Sequence, residues 1–165
     1  MDAEAVAAKV GEVFPETLLA RGEVTVLVPR AEVVQTLRRL GTEEELAFDF
    51  LSDLTATDWP GQEPRFWVAY HLRSTGHGHR LRVKAGLPGQ DPHVPTVTGL
   101  FPTANWLERE VYDFFGVIFD GHPDLRRIEM PEGWVGHPLR KDHPLAGVNT
   151  QYKGAFIPPP DQRGV

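Results

Sequence analysis

The sequence predicts an α+β fold: a mixed, mainly antiparallel sheet of about four strands, helices packed on one of its faces, and an extended C-terminal arm. Three observations carry this. Two adjacent runs, 65-RFWVAYHLR-73 and 79-HRLRVKAGL-87, alternate apolar and polar residues with the period of strands. Three other stretches repeat their apolar residues at helical spacing. After Leu145 the chain loses most of its apolar content and carries a triple proline, so it buries little by itself.

Taken in order, residues 2–14 suit a helix, with Asp2 as N-cap before an alanine-rich body. Residues 23-EVTVLV-28 alternate and are β-branched, which predicts a strand. Pro29 then opens 30-RAEVVQTLRRLG-41. Here Val33, Val34, Leu37 and Leu40 form a helical stripe, and Gly41 is placed to stop it. Residues 47–58 alternate enough for another strand. In the hairpin, Phe66, Val68, Tyr70 and Leu72 share a face with Leu81, Val83, Ala85 and Leu87, while Arg80, Arg82 and Lys84 point the other way. The turn 74-STGHGH-79 joins the two strands, and its histidines are expected in solvent. One sheet face is therefore buried, and the other is wet or covered by something outside this chain.

The chain has 165 residues, of which 41% are apolar, enough for one domain with one core. It has no cysteine, which excludes disulfides, thiol nucleophiles and clusters or zinc sites built on thiolates. No apolar run reaches the length of a membrane span, and MDAEAVAAKVGEVF does not read as a signal peptide. A cytoplasmic protein is expected. Residues 1–60 hold 12 acids against 5 bases, and the remainder 11 against 12, for a net charge of −6. That balance argues against a nucleic-acid partner.

The motif inventory is empty of G-x-G-x-x-G, P-loop, G-x-S-x-G and H-E-x-x-H patterns. Three histidines precede proline: His122, His137 and His143. With Asp124 or Asp142 they make a candidate metal site for a hydrolase. The competing reading is that their rings bond to backbone or carboxylate groups.

The stretch 105-NWLEREVYDFFGVIFDGHPDLRRI-128 is less ordinary. Asn105 and Glu108 have the spacing of a capping box, and Glu108 and Glu110 lie near the positive end of the helix dipole. Leu107, Val111, Phe114, Phe115 and Ile118 make the apolar stripe. Arg109 and Asp113 are spaced as an i, i+4 pair, and Gly116 suits the helix end. Downstream, 122-HPDLRRIEMPEGWVGHPLRKDHPL-145 has four prolines and little periodicity, yet keeps Trp134 and several aliphatics. A segment this long without regular structure usually serves a purpose. Its cations Arg126, Arg127, Arg140 and Lys141 suit carboxylates. Either the acids of the helix hold the loop down, or loop and helix together face another protein.

The run from Glu108 to Ile128, continued by Trp134 and 136-GHPLRKDHPL-145, resembles the C subunit of NADH–quinone oxidoreductase, the thirty-kilodalton subunit family of respiratory complex I. The pattern is carried by Glu108, Arg109, Glu110, Asp113, Phe114, Phe115, His122, Arg126 and Ile128, and extends through Arg127, Trp134, His137, Arg140 and Lys141. Glu129 departs from it, standing where an apolar residue is expected. The resemblance implies a non-catalytic subunit of the peripheral arm, docked on the D subunit and neighbouring subunits. It implies a position at the cytoplasmic side of the inner membrane, reached only through the complex. It further implies that this chain holds no cofactor, the iron–sulfur clusters, FMN and quinone belonging to partners. Residues 1–121 would form the α+β domain and 122–165 a loop and arm laid on a neighbour. The equivalent subunit of a related membrane-bound hydrogenase or other quinone-linked dehydrogenase is the alternative.

Overall fold

The computed structural model describes residues 1–131 and 133–144, together with the backbone of 150–152 and 155–157. Helix α1 (Ala3–Val13) starts where Asp2 accepts the Ala5 N–H at 2.9 Å. A hairpin of β1 (Thr17–Ala20) and β2 (Glu23–Val28) follows. A 3-10 turn at Arg30–Glu32 leads into α2 (Val33–Thr42). Strands β3 (Phe50–Asp58), β4 (Phe66–Arg73) and β5 (Arg80–Leu87) form a meander. Strand β6 (His93–Pro95) pairs in parallel with β7 (Ile118–Asp120), and α3 (Ala104–Phe115) lies between them in the chain. A final antiparallel pair, β8 (Thr150–Tyr152) and β9 (Ala155–Ile157), falls in the expected arm. The rest of that arm lies outside the described residues.

The main sheet has five strands in the order β1-β2-β5-β4-β3, with only β2–β5 parallel. All three helices cover one face. Val6 and Val10 of α1, Val33, Leu37 and Leu40 of α2, and Val111 and Phe115 of α3 join one core with Val26, Val83, Tyr70 and Leu54 of the strands. Single-sided packing follows from the alternation in β4 and β5, whose large aliphatic residues, with Phe66 and Tyr70, sit on one side.

Several expectations change in detail. The fifth strand is β1, which the sequence hides because Leu18 and Leu19 are about half exposed and show no buried face. Its turn is Arg21-Gly22, both at positive φ, a two-residue hairpin geometry usually announced by Asn-Gly rather than Arg-Gly. Gly41 does not stop α2. The helix runs to Thr42, and a Cβ at Gly41 would lie 3.3 Å from the Phe48 carbonyl oxygen. That glycine serves a close backbone approach. His79 is buried, not solvated. Its Nε2–H donates to the Leu46 carbonyl at 2.6 Å, and its ring stacks on His77 and meets the edge of Phe48.

The loop between β3 and β4 folds back on the uncovered face of the sheet, where a Cβ at Gly86 would run into the Pro64 ring. Gly86→Ala should therefore lower stability by about 1–3 kcal/mol through overpacking. Chemical denaturation reads this directly, and an unchanged midpoint would mean that Pro64 is free to move off the sheet.

Candidate functional site

Helix α3 is fastened at both ends by carboxylates, and neither acts as the sequence suggests. At its start, Thr103 is the N-cap residue and makes no side-chain cap bond. Asn105 lies inside the helix, and Glu108 does not cap it. Glu108 is fully buried and reaches across to the segment after β6. It accepts the Val97 N–H at 2.7 Å and the Thr96 hydroxyl at 2.5 Å. Burial pushes its carboxyl up to about 7, against those two hydrogen bonds, which favour the ionised form. The fully buried Tyr70 hydroxyl has no hydrogen-bond partner among the described residues. Burial raises Tyr70 well above its ordinary value, and the Glu108 charge adds to this.

One helical turn from the C-terminus, Asp113 is equally buried but has four donors. Arg127 donates from Nη1 to Oδ1 at 2.6 Å. Oδ2 accepts the backbone N–H groups of Ile128, Glu129 and Met130 at 3.1, 2.9 and 2.9 Å. Burial works to raise this carboxyl, yet the three N–H groups and Arg127 outweigh it and hold it below the usual carboxylate range. Asp113 thus closes the loop onto the helix, and the expected Arg109–Asp113 pair does not form. Arg109 instead spans the loop's entry. Its Nε and Nη2 donate to the carbonyls of Arg126 and Arg127 at 3.1 and 3.4 Å, and its guanidinium lies over Trp106.

The last carbonyls of α3 have no partners within the helix, as at every helix end. The loop supplies them. Arg127 and His137 donate to the Asp113 carbonyl, the Leu139 N–H to that of Phe114 at 3.1 Å, and Arg140 Nε to that of Phe115 at 2.5 Å. Two guanidinium groups at the negative end of the dipole are favourably placed. Gly116 ends the helix as expected, at φ 71°, with its N–H on the Tyr112 carbonyl. A side chain there would strike His137 and Arg140 at 2.5 Å.

A second carboxylate holds the loop's far end. Asp58, buried at the end of β3, takes a two-point ion pair from Arg65 at 2.7 and 2.9 Å and the Lys141 N–H at 2.8 Å. Arg65 beside it holds Asp58 below its usual range. Arg65 also reaches Asp142 at 2.9 Å. Sequence reading missed this anchor. The available signal was parity: Leu54, Ala56 and Asp58 share the core side of β3, and a carboxylate there needs a partner.

The predicted site residues take unequal roles. Asp113, Arg127, His137 and Arg140 bond together. Arg126 pairs with Asp124, and the Lys141 side chain is exposed while its backbone serves Asp58. Phe115 is core and Phe114 is half-buried against it. Trp134 is half-buried, with its indole N–H lacking a partner among the described residues. Glu110 is exposed and bonds none of the loop in this way. Desolvation, then the charges of Glu129 and Asp53, push its carboxyl up.

Of the histidines that precede proline, His122 and His137 are occupied. His122 donates from Nε2 to the Asn105 carbonyl at 3.2 Å and accepts the Asp124 N–H on Nδ1 at 3.0 Å. The same Nε2 stays 3.9 Å from Glu108. His137 Nδ1 is on the Asp113 carbonyl. Among the described residues no group of three or more His, Asp or Glu is arranged to hold a metal ion. The His-Pro histidines therefore do not come together as a hydrolase centre.

Two measurements follow from the buried carboxylates. Asp113→Ala removes the only carboxylate facing Arg127 among the described residues, leaves three backbone N–H groups unpaired and should cost roughly 3–5 kcal/mol. Trypsin should then cut faster at Arg126 and Arg127; unchanged stability and cutting would remove Asp113 as the anchor. Glu108 has a folded-state value raised from 4.5 to about 7. Its stabilising contribution is complete below pH 4.5 and is lost as pH rises through 7. Glu108→Gln should therefore gain on the parent protein by about 2–3 kcal/mol between roughly pH 5 and pH 8. A constant difference across that window would show that Glu108 titrates normally.

Residues 26–149 match the family described as respiratory-chain NADH dehydrogenase, 30 Kd subunit. The C subunit of NADH-quinone oxidoreductase from Mycolicibacterium gilvum is 45% identical over 92% of this chain and 68% of its own length. Its counterparts from a Nocardioides species and from Mycobacterium ulcerans are each 44% identical, over 90% and 92% of this chain and 60% and 64% of theirs. The chain thus spans about two thirds of the length of these relatives. Among solved structures, a trypsin-resistant fragment of Nqo5 superposes with a TM-score of 0.63 at 32% identity, covering 74% of this chain and 99% of the fragment. A chain of the membrane-bound sulfane sulfur reductase, an archaeal respiratory membrane complex, superposes at 0.67 and 30% identity, covering 86% of this chain and 85% of that one. The loop fastened to α3 by Asp113 lies within the matched residues, and the chain belongs to the 30 Kd subunit family of respiratory-chain NADH dehydrogenase.

Proposed function

We propose that this chain is a non-catalytic subunit of the peripheral arm of a proton-translocating NADH–quinone oxidoreductase. It docks on the D subunit and neighbouring arm subunits at the cytoplasmic side of the inner membrane. NADH oxidation, the iron–sulfur clusters, FMN and quinone reduction belong to those partners. Attachment to the membrane runs through them as well; no helix among the described residues is long and apolar enough to cross one.

One observation supports this reading above the others. The loop 122–144 directs its ion pairs and much of its backbone bonding inward, onto α3 and Asp58, and turns apolar side chains outward. Val135 is 87% exposed and Leu139 49%, while Trp106 on α3 is 63% exposed. Exposed aromatic and aliphatic side chains on a rigidly held surface mark a protein interface. A loop held this firmly loses little entropy on docking.

We also propose the division into a 1–121 domain and a 122–165 segment that packs on a neighbour. The trypsin resistance of the Nqo5 fragment, which corresponds to 74% of this chain, supports a compact unit shorter than the whole. Similarity to the sulfane sulfur reductase chain favours a second reading, the equivalent position in a related membrane-bound respiratory complex. The identities of co-purifying chains distinguish the two.

Val135→Glu combined with Leu139→Glu should leave the melting of the isolated chain within about 0.5 kcal/mol of the parent. The same pair should reduce recovery of the D subunit with the tagged chain from native membranes by roughly tenfold or more. Full recovery with both glutamates present would place the interface elsewhere.

A further inference from the structure

The helices of this chain all serve one face of the five-stranded sheet. The other face meets the 59–65 loop at Gly86 and is left open toward the opposite end of β5. Alternation puts Arg80, Arg82 and Lys84 of β5 there, with His71 and Arg73 of β4 and Glu23 and Thr25 of β2. Arg82 is held by Thr25 at 2.8 Å and by Glu23 at 3.1 Å. Lys84 lies over the Trp67 ring at 4.8 Å.

Arg73 and Arg80 differ from these. They stand directly opposite each other in the register, both exposed, and neither side chain has a hydrogen bond or ion pair among the described residues. Like charges facing each other across a strand pair destabilise a sheet. An anion between them turns that repulsion into attraction. A groove opens beside them: it is lined on this face by Glu23, Phe50, His71, Arg73, Arg80 and Arg82, and it continues round the end of the sheet to Met1, Ala3 and Val6 at the start of α1, about 700 Å³ in all. Phe50, 45% exposed, gives its wall an apolar patch.

Spacing selects the form of the anion. Same-face residues on a strand recur about every 6.8 Å, so the cations of β5 form a row at that interval. An extended polypeptide presents alternate side chains at the same interval. The acids that flank the row, Glu23 and Asp53, break the positive field into separate cations, which suits discrete carboxylates better than a continuous phosphate backbone, and Lys84 already lies over the Trp67 ring.

We propose that the open face of the sheet, centred on Arg73 and Arg80, binds an extended acidic segment of a partner protein whose carboxylates occupy alternate positions. This is a second docking surface, on the side of the sheet opposite the helices, and it stands independently of the partner assigned to the loop.

The test titrates the full 165-residue chain into a fluorescently labelled peptide of alternating Glu and Thr, read by anisotropy. A Gln–Thr peptide and an oligothymidylate of similar length serve as comparisons. The expected result is saturable binding of the Glu–Thr peptide that weakens with salt, with no saturation by the Gln–Thr peptide. R73E/R80E should weaken binding roughly tenfold or more. R73Q/R80Q, which introduces no new charge, should also weaken it, and serves in place of the reversal if that impairs folding. Failure of the Glu–Thr peptide to saturate, equal binding by folded variants and parent, or tighter binding of the oligothymidylate would each overturn the proposal.

Discussion

Asp113 occupies the position on which this chain's least regular part depends. It is buried, charged, and surrounded by donors that all come from residues 127–130. A buried carboxylate is tolerable only with its lone pairs filled. Here the filling comes from a stretch of loop that belongs to no helix or strand and has no ladder to satisfy its N–H groups. Each side removes the other's difficulty. The loop then extends along the open end of α3, where Arg127, His137, Leu139 and Arg140 take up the carbonyls that a helix terminus leaves over. Asp58 and Arg65 secure the far end. A segment with four prolines thereby becomes a defined surface without regular secondary structure.

Glu108 and Asp113 show how surroundings, rather than burial, decide the state of a carboxyl group. Both are inaccessible to solvent and lie on the same helix. Asp113 has four donors including a guanidinium, and its charged form is favoured. Glu108 has one N–H and one hydroxyl and no guanidinium or ammonium against it, and its neutral form is favoured up to about pH 7. The first is a permanent charge that fastens a loop. The second is a joint between α3 and the strand segment before it, near Tyr70 in the core.

On the function proposed above, the work of this chain is mechanical. Two of the three histidines that suggested a metal centre, His122 and His137, are engaged in fixing backbone. What the fold offers is two surfaces of different chemistry. One is apolar and outward-facing on α3 and the loop. The other is cationic and lies across the uncovered sheet. A subunit that holds neighbours together has use for both, because apolar contact supplies affinity while charge supplies orientation and selectivity.

Much of the fold was readable from local pattern. The strand at 23–28, the 66–73 and 80–87 hairpin, the Asp2 cap and the Gly116 stop all follow from periodicity and backbone preference, which act over a few residues. The sequence also marked the segment from Glu108 to Lys141 as the one needing an explanation, and it lies within the residues that match the family. What it did not determine was who bonds whom. Glu108 had the spacing of a capping box, and Arg109 and Asp113 that of a helical pair, yet both spacings went unused. Local pairs of exposed side chains are worth only tenths of a kcal/mol, whereas a buried carboxylate without donors costs several. Asp58 and Arg65, separated from the loop by about half the chain, entered the site for the same reason. Sequence by itself set the elements and their faces; tertiary packing decided which carboxylates were buried, and burial then dictated their partners.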